Sequence, residues 1–159
     1  MEQMWISGRG LVALKQEEGF RPVKYVDIGG KWTIGYGHLL LADEDGDVVL
    51  TEGQAENLLL NDLEPLERKM VPLFACQPSQ CQWDAMCSLV FNVGVGVHDG
   101  RKGDFADSSL VDKLNRGLVN EAADEFLYWC YYHDREGSKQ RSEALYNRRQ
   151  RERLMFLGQ

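Results

Sequence analysis

At 159 residues and 18.2 kDa the chain has the size of one domain, and its 43% apolar and 27% charged residues exclude disordered and fibrous classes. A net charge of −7 argues against a nucleic-acid binder, which needs basic surface to neutralise phosphates. No apolar run approaches the roughly 20 residues that cross a bilayer, and the first 14 residues lack the basic-then-apolar pattern of a secretory signal.

In chain order, Ser7 is placed to cap a short helix over 8–18 carrying Leu11, Val12 and Leu14, with Gly19 as its stop. From Tyr25 to about Leu50 the texture changes. Val26-Asp27-Ile28-Gly29-Gly30, the run Trp32 to His38 and Val48-Val49-Leu50, bounded by glycine and aspartate clusters, predict short strands of a small antiparallel sheet. Thr51 and Gln54 form a capping-box pattern opening an amphipathic helix with Ala55, Leu58, Leu59, Leu63 and Leu66. Pro65 is expected to kink that helix or end it one residue earlier. The remainder reads as helical over 82–93, 109–114, 120–132 and 144–156, with Gly94, Gly96, Gly100 and Gly103 marking one long loop. The fold class is α+β: a β-containing lobe over about 19–50, a linking helix over about 51–71, and a helical lobe over about 72–159. The helix over 8–18 is expected to pack near the cleft between the lobes.

The chemistry concentrates in three residues. Glu18 ends the first helix, Asp27 sits in the turn entering the sheet, and Thr33 lies on a strand. Glycosidic hydrolysis needs one group to protonate the leaving oxygen and another to stabilise or activate attack from the opposite face. A hydroxyl beside the second carboxylate can hold the attacking water. Taken alone this trio is a weak signal, because acidic residues near turns are usually surface groups.

The residues between them are more specific. Glu18-Gly19, Tyr25-Val26-Asp27 and Trp32-Thr33-Ile34-Gly35-Tyr36-Gly37-His38 resemble the phage-type lysozymes, glycoside hydrolase family 24, and the separations of the three residues match that family. The resemblance extends through Gln82-Trp83-Asp84-Ala85 and Phe91-Asn92-Val93-Gly94, through Ser108-Ser109-Leu110, to Arg148-Arg149-Gln150-Arg151-Glu152 and Phe156-Leu157-Gly158. It implies a muramidase that cuts the β-1,4 bond between N-acetylmuramic acid and N-acetylglucosamine in peptidoglycan. It implies Glu18 as general acid, Asp27 as second carboxylate, and Thr33 as the group that helps position water. It further implies inversion, with carboxyl groups roughly 6.5–9.5 Å apart, and no metal or cofactor. Leu39, Phe91, Ser109 and Arg148 match positions tied to the sugar groove, and Arg148 resembles an arginine that reaches back to the catalytic glutamate. Such a cation favours an ionised Glu18, whereas a general acid must keep its proton.

The remaining features receive plainer readings. Glu17 points about 100° away from Glu18 on a helix and is expected to be solvated. His38 is read as the structural partner of a nearby carboxylate, and His98 and His133 as surface residues. Asp43, Asp45 and Asp47 invite a calcium loop, but Val48 and Gln54 stand where glycine and glutamate are needed, so a solvated turn is expected. Of Trp5, Trp32, Trp83 and Trp129, only Trp32 sits near enough to be a stacking platform. The segment over 97–108 is expected to form a mobile lip.

Cys76, Cys81, Cys87 and Cys130 have spacings foreign to zinc sites. Free, mostly buried thiols are expected, with a Cys76–Cys81 bridge left open. From Lys139 onward, Lys139, Arg141, Arg148, Arg149, Arg151 and Arg153 oppose Glu143 and Glu152, giving +4 there and −11 elsewhere. These arginines are expected mostly on a solvated face, with a local positive wall facing the anionic polymer as the functional alternative.

The partners expected are peptidoglycan, no nucleic acid, and a membrane-permeabilising protein that lets a monomeric, cytoplasmically made endolysin reach the wall. Three other functions stay open: an exported antibacterial muramidase, an inactive saccharide-binding or virion structural protein on the same fold, and a lytic transglycosylase. Asp27 counts against the last.

Overall fold

The computed structural model describes residues 2–27, 29–42, 44–100, 103–133 and 137–159, with His133 described by its backbone alone. Helix α1 (Gly8–Glu18) starts where the Ser7 side chain accepts the Gly10 N–H, and ends at Gly19, whose φ is 71°. Strands β1 (Arg21–Val26), β2 (Trp32–Gly35) and β3 (His38–Leu39) follow as an antiparallel sheet in that order. Tyr25 pairs with Thr33, and Thr33 with Leu39, which puts Thr33 on the central strand. Val48-Val49-Leu50 forms no strand. Only Leu50 makes a sheet-like bond, from its N–H to Pro22 O at 2.8 Å, and Val49 is open to solvent.

Helix α2 (Glu52–Met70) opens with the expected capping box, Thr51 and Gln54 each satisfying the other's backbone N–H. Such a cap contributes about 1 kcal/mol. The helix runs through Pro65. Pro65 leaves the Asn61 carbonyl without its helical donor, but both residues are exposed, so water takes that acceptor. Leu63 and Met70, buried on either side, hold the two halves on the core.

Helix α3 (Gln80–Val93) carries a second capping box, from Ser79 and Gln82, and every residue from Trp83 to Val90 is buried. A helix buried all round must lie at the centre, and α1, α2 and α6 (Glu143–Phe156) pack on it. Helices α4 (Ser109–Asn115) and α5 (Val119–Glu125) pack together, and α5 also packs on α6.

The helix expected over 120–132 ends early. After α5 a 3-10 turn over Phe126–Tyr128 leads into a two-stranded hairpin, β4 (Tyr131–His133) and β5 (Lys139–Arg141). The run Leu127-Tyr128-Trp129-Cys130-Tyr131-Tyr132 is rich in aromatic residues that favour strands. Lys139 and Arg141 lie over the rings of Tyr131 and Tyr146, and the Ser142 N–H closes the hairpin on Cys130 O at 2.8 Å. All four cysteines are free thiols, Cys87 and Cys130 buried, Cys76 exposed.

Candidate active site

Glu18 is positioned from both ends of α1. At the start, Asp84 on α3 accepts the Ser7 N–H at 2.8 Å and the Ser7 hydroxyl at 2.5 Å. Gly10 makes this approach possible, since a Cβ there would stand 2.5 Å from Asp84 Cγ. At the far end, Arg148 Nη2 on α6 donates to Glu18 Oε1 at 2.8 Å. The other oxygen, Oε2, lies 3.4 Å from the position a Cβ would take on Gly37, in the β2–β3 turn, where φ is 86°. A side chain at 37 would meet both an unfavourable backbone conformation and the carboxyl group. Burial works against the Arg148 charge, but Glu18 and Glu152 outweigh it and hold its pKa above the ordinary arginine value.

Asp27 and Thr33 are tied together by one residue. Asp27 Oδ1 accepts the Lys31 N–H at 2.8 Å, and the Thr33 hydroxyl donates to the Lys31 carbonyl at 3.2 Å. The turn is closed by Asp27 N–H on Lys31 O at 2.8 Å and Gly30 N–H on Asp27 O at 3.0 Å. Thr33 is buried and Asp27 half-buried. Between them Trp32 keeps 52% of its surface exposed, with the Lys24 ammonium 5.3 Å from its ring centre.

The four residues tied by sequence to the sugar groove fall in three places. Leu39 and Phe91 line one cavity of about 330 Å³ together with Gly37 and His38, next to the Glu18 carboxyl. Ser109 lines a larger cavity of about 680 Å³ with Asn92, Asp107, Trp129 and Tyr131. Phe91 and Asn92 are consecutive, so the end of α3 borders both spaces. Arg148 lines neither cavity. It is buried, and its guanidinium donates to Glu18, Glu152 and Ser88.

The sequence pattern of the family described as Phage lysozyme matches residues 15–152. The endolysin of Acyrthosiphon pisum secondary endosymbiont phage 1 is 37% identical over 96% of this chain and 98% of its own length. That of Salmonella phage P22 is 36% identical over 98% and 99%. The endolysin from Escherichia coli O157:H7 phage FAHEc1 superposes with a TM-score of 0.87 at 28% identity, covering 98% of this chain and 95% of that one. This chain belongs to the phage lysozyme family.

Several surroundings of the site in this phage lysozyme differ from the plainer sequence readings. Glu17 is not solvated: Arg151 holds it through two bonds of 2.6 and 2.8 Å, and that contact pulls its pKa below the ordinary value. Among the described residues the four arginines of α6 form no free positive wall, while Lys139 and Arg141 lie exposed over tyrosine rings. Arg148, Arg149, Arg151 and Arg153 pair with Glu18, Glu152, Glu17 and Asp124. The described part of the 97–108 segment is pinned, with Asp104 accepting the Val97 N–H and Asp107 those of Asp99 and Gly100, while Phe105 is fully buried. His98 is exposed and pairs with Asp107. Asp45 caps the Asp47 N–H at 2.9 Å; Asp43 lies outside the described residues.

His38 is a structural partner, as its sequence context implies. Its Nδ1 lies 2.8 Å from Asp62 and its Nε2 3.2 Å from Glu44. Burial opposes the imidazolium, but these carboxylates prevail and raise the His38 pKa. Sequence reasoning missed Gly37, Ser88 and Glu152. The i, i+4 spacing of Arg148 and Glu152 on one helix was the available signal.

Proposed function

We propose that this phage lysozyme, a peptidoglycan hydrolase of phage lysis, cleaves the β-1,4 bond between N-acetylmuramic acid and N-acetylglucosamine with inversion. Glu18 gives its proton to the glycosidic oxygen. Asp27 takes a proton from the attacking water, and the Thr33 hydroxyl fixes that water's position. The observation that carries the reading is the placement of Glu18 against the β2–β3 turn of the same sheet whose central strand bears Thr33, itself linked to Asp27 through Lys31. Leu39 and Phe91 supply apolar contact for the sugar rings beside Glu18. Ser109 serves the neighbouring cavity. Arg148 acts through Glu18, whose carboxyl its Nη2 holds.

The protein works as a monomer, needs no metal or cofactor, and is made in the host cytoplasm. It reaches the wall through a membrane-permeabilising partner. Among the described residues no helix is long and apolar enough to cross a membrane.

Digestion of purified peptidoglycan by the wild type and by Glu18→Gln tests the reading. It predicts muropeptides with reducing N-acetylmuramic acid from the wild type alone, released initially as the α-anomer by NMR. Anhydro-muropeptides would identify a transglycosylase and remove the role of Asp27. An initial β-anomer would replace inversion with a covalent Asp27 intermediate.

A further inference from the structure

Behind Glu18 lies a buried group of charges that the hydrolytic reaction does not by itself require. Glu152 is only 1% exposed. Its Oε1 accepts from Arg148 Nε at 3.0 Å and from the Ser88 hydroxyl at 2.7 Å, and its Oε2 lies 3.2 Å from Arg149 Nε. Each carboxyl oxygen therefore faces a guanidinium nitrogen that can only donate, which favours the carboxylate, while burial opposes the charge and leaves the Glu152 pKa above the ordinary carboxylate value. Arg149 is fully buried. It donates from Nη2 to Asn92 at 2.8 Å, and among the described residues neither its Nη1 and Nε nor Glu152 Oε2 has a hydrogen-bond partner, so the Oε2–Nε approach is a charge contact only.

Arg148 is thus shared. Through Nη2 it binds Glu18, and through Nε it binds Glu152. Two buried cations stand behind the catalytic acid, and Glu152 is the one buried carboxylate set between them. Charges in such a place are poorly screened by solvent or salt, so the balance among them acts directly on Glu18. Without the Glu152 charge, two uncompensated guanidiniums would favour the Glu18 anion and remove the proton it must deliver. The other titratable groups of the site are already engaged. Glu17 is held by Arg151, His38 beyond the β2–β3 turn is held by Asp62 and Glu44, and Asp27 takes the Lys31 N–H. Helix α3 contributes only the neutral Ser88 and Asn92 to this group.

We propose that Glu152 is a positioning residue that sets the acidity of Glu18, by dividing the Arg148 guanidinium between two carboxylates and neutralising Arg149. The proposal rests on Glu18 being the general acid. It answers the conflict between a neighbouring cation and an acid that must stay protonated: the cation orients Glu18, and Glu152 cancels much of its field.

The test uses the full-length protein and two readouts. The first is the Glu18 titration followed by carbon-13 carboxyl NMR. The second is the alkaline limb of the pH–rate profile on purified peptidoglycan. Glu152→Gln keeps the shape of the side chain and should move both to lower pH by about one unit. Arg149→Met should move both upward, and the double variant should return close to wild type, because one buried charge of each sign has gone. A purely structural role for Glu152 would lower thermal stability and leave both readouts in place, which would overturn the proposal. If Glu152→Gln does not fold, Arg149→Met decides alone: an unmoved Glu18 titration refutes it. A shifted titration with an unshifted alkaline limb would instead reject Glu18 as the general acid while leaving the charge sharing intact.

Discussion

Glu18 and Asp27 lie nine positions apart in the chain and are held by opposite means. Glu18 is fixed by tertiary contacts alone: an arginine 130 positions further on, a glycine in the next hairpin, and a helix clamped at its far end by Asp84. Asp27 is fixed by its own turn, within which Lys31 supplies both the N–H that binds its carboxylate and the carbonyl that binds Thr33. The first arrangement sets a carboxyl group against buried charges. The second leaves a half-buried carboxylate at a turn. The general acid and water-activating base proposed for Glu18 and Asp27 need these two environments, and one short stretch of sequence supplies both by ending a helix and then making a turn.

The comparison can be broken by substitution. The largest effect is expected from Glu18→Gln, which keeps the hydrogen bond to Arg148 but removes the proton. Turnover should fall by about 10³-fold, measured on purified peptidoglycan, with no more than a small change in Tm. Asp27→Asn keeps an acceptor for the Lys31 N–H, so the turn should survive while turnover falls by about 10²-fold. If Asp27→Asn instead unfolded the sheet, the carboxylate charge would be holding the turn and the contrast with Glu18 would fail.

A smaller, pH-dependent effect is expected at His38. Its folded-state pKa is raised by Asp62 and Glu44 against the cost of burial. The stabilisation is therefore fully present below the ordinary histidine value of about 6.5 and lost as pH rises through the higher folded-state value. Chemical denaturation of His38→Asn should show a loss of about 1–2 kcal/mol at pH 5.5 that shrinks towards pH 9. A loss equal at both values would mean packing, not charge, is at work. The smallest effect is expected from Arg151→Gln. Its partner Glu17 is well covered, but Arg151 itself is 58% exposed, so the pair should contribute less than about 1 kcal/mol and turnover should be unchanged. A large loss of turnover would show that Glu17 also shapes the acid site.

The pairing of the terminal arginines also changes what salt should do. Since Arg148, Arg149, Arg151 and Arg153 are committed to internal carboxylates, they offer little free positive field to an anionic wall. Activity between low and physiological salt should vary little beyond the screening of the overall negative charge.

Much of this was legible in the sequence because it is local. The caps at Ser7 and Thr51 act over three or four residues, and the run from Trp32 to His38 marks the hairpin by its glycines and β-branched residues. Glu18, Asp27 and Thr33 could be singled out for the same reason: a helix end, a turn and a strand follow one another within 16 positions. Where the sequence misled, a distant partner decided. Val48 and Val49 have strand character but no neighbouring strand to pair with, and Pro65 is tolerated because the carbonyl it frees faces water. The aromatic run after Glu125 becomes a hairpin because Lys139 to Ser142 return to pair with it. The charges of α6 show the limit most clearly. Sequence counts four arginines there and nothing about their use. Only packing against α1 and α3 decides that Arg148 and Arg149 are buried and that Glu152 stands between them, because a charge can remain inside a protein only where the fold brings it a partner.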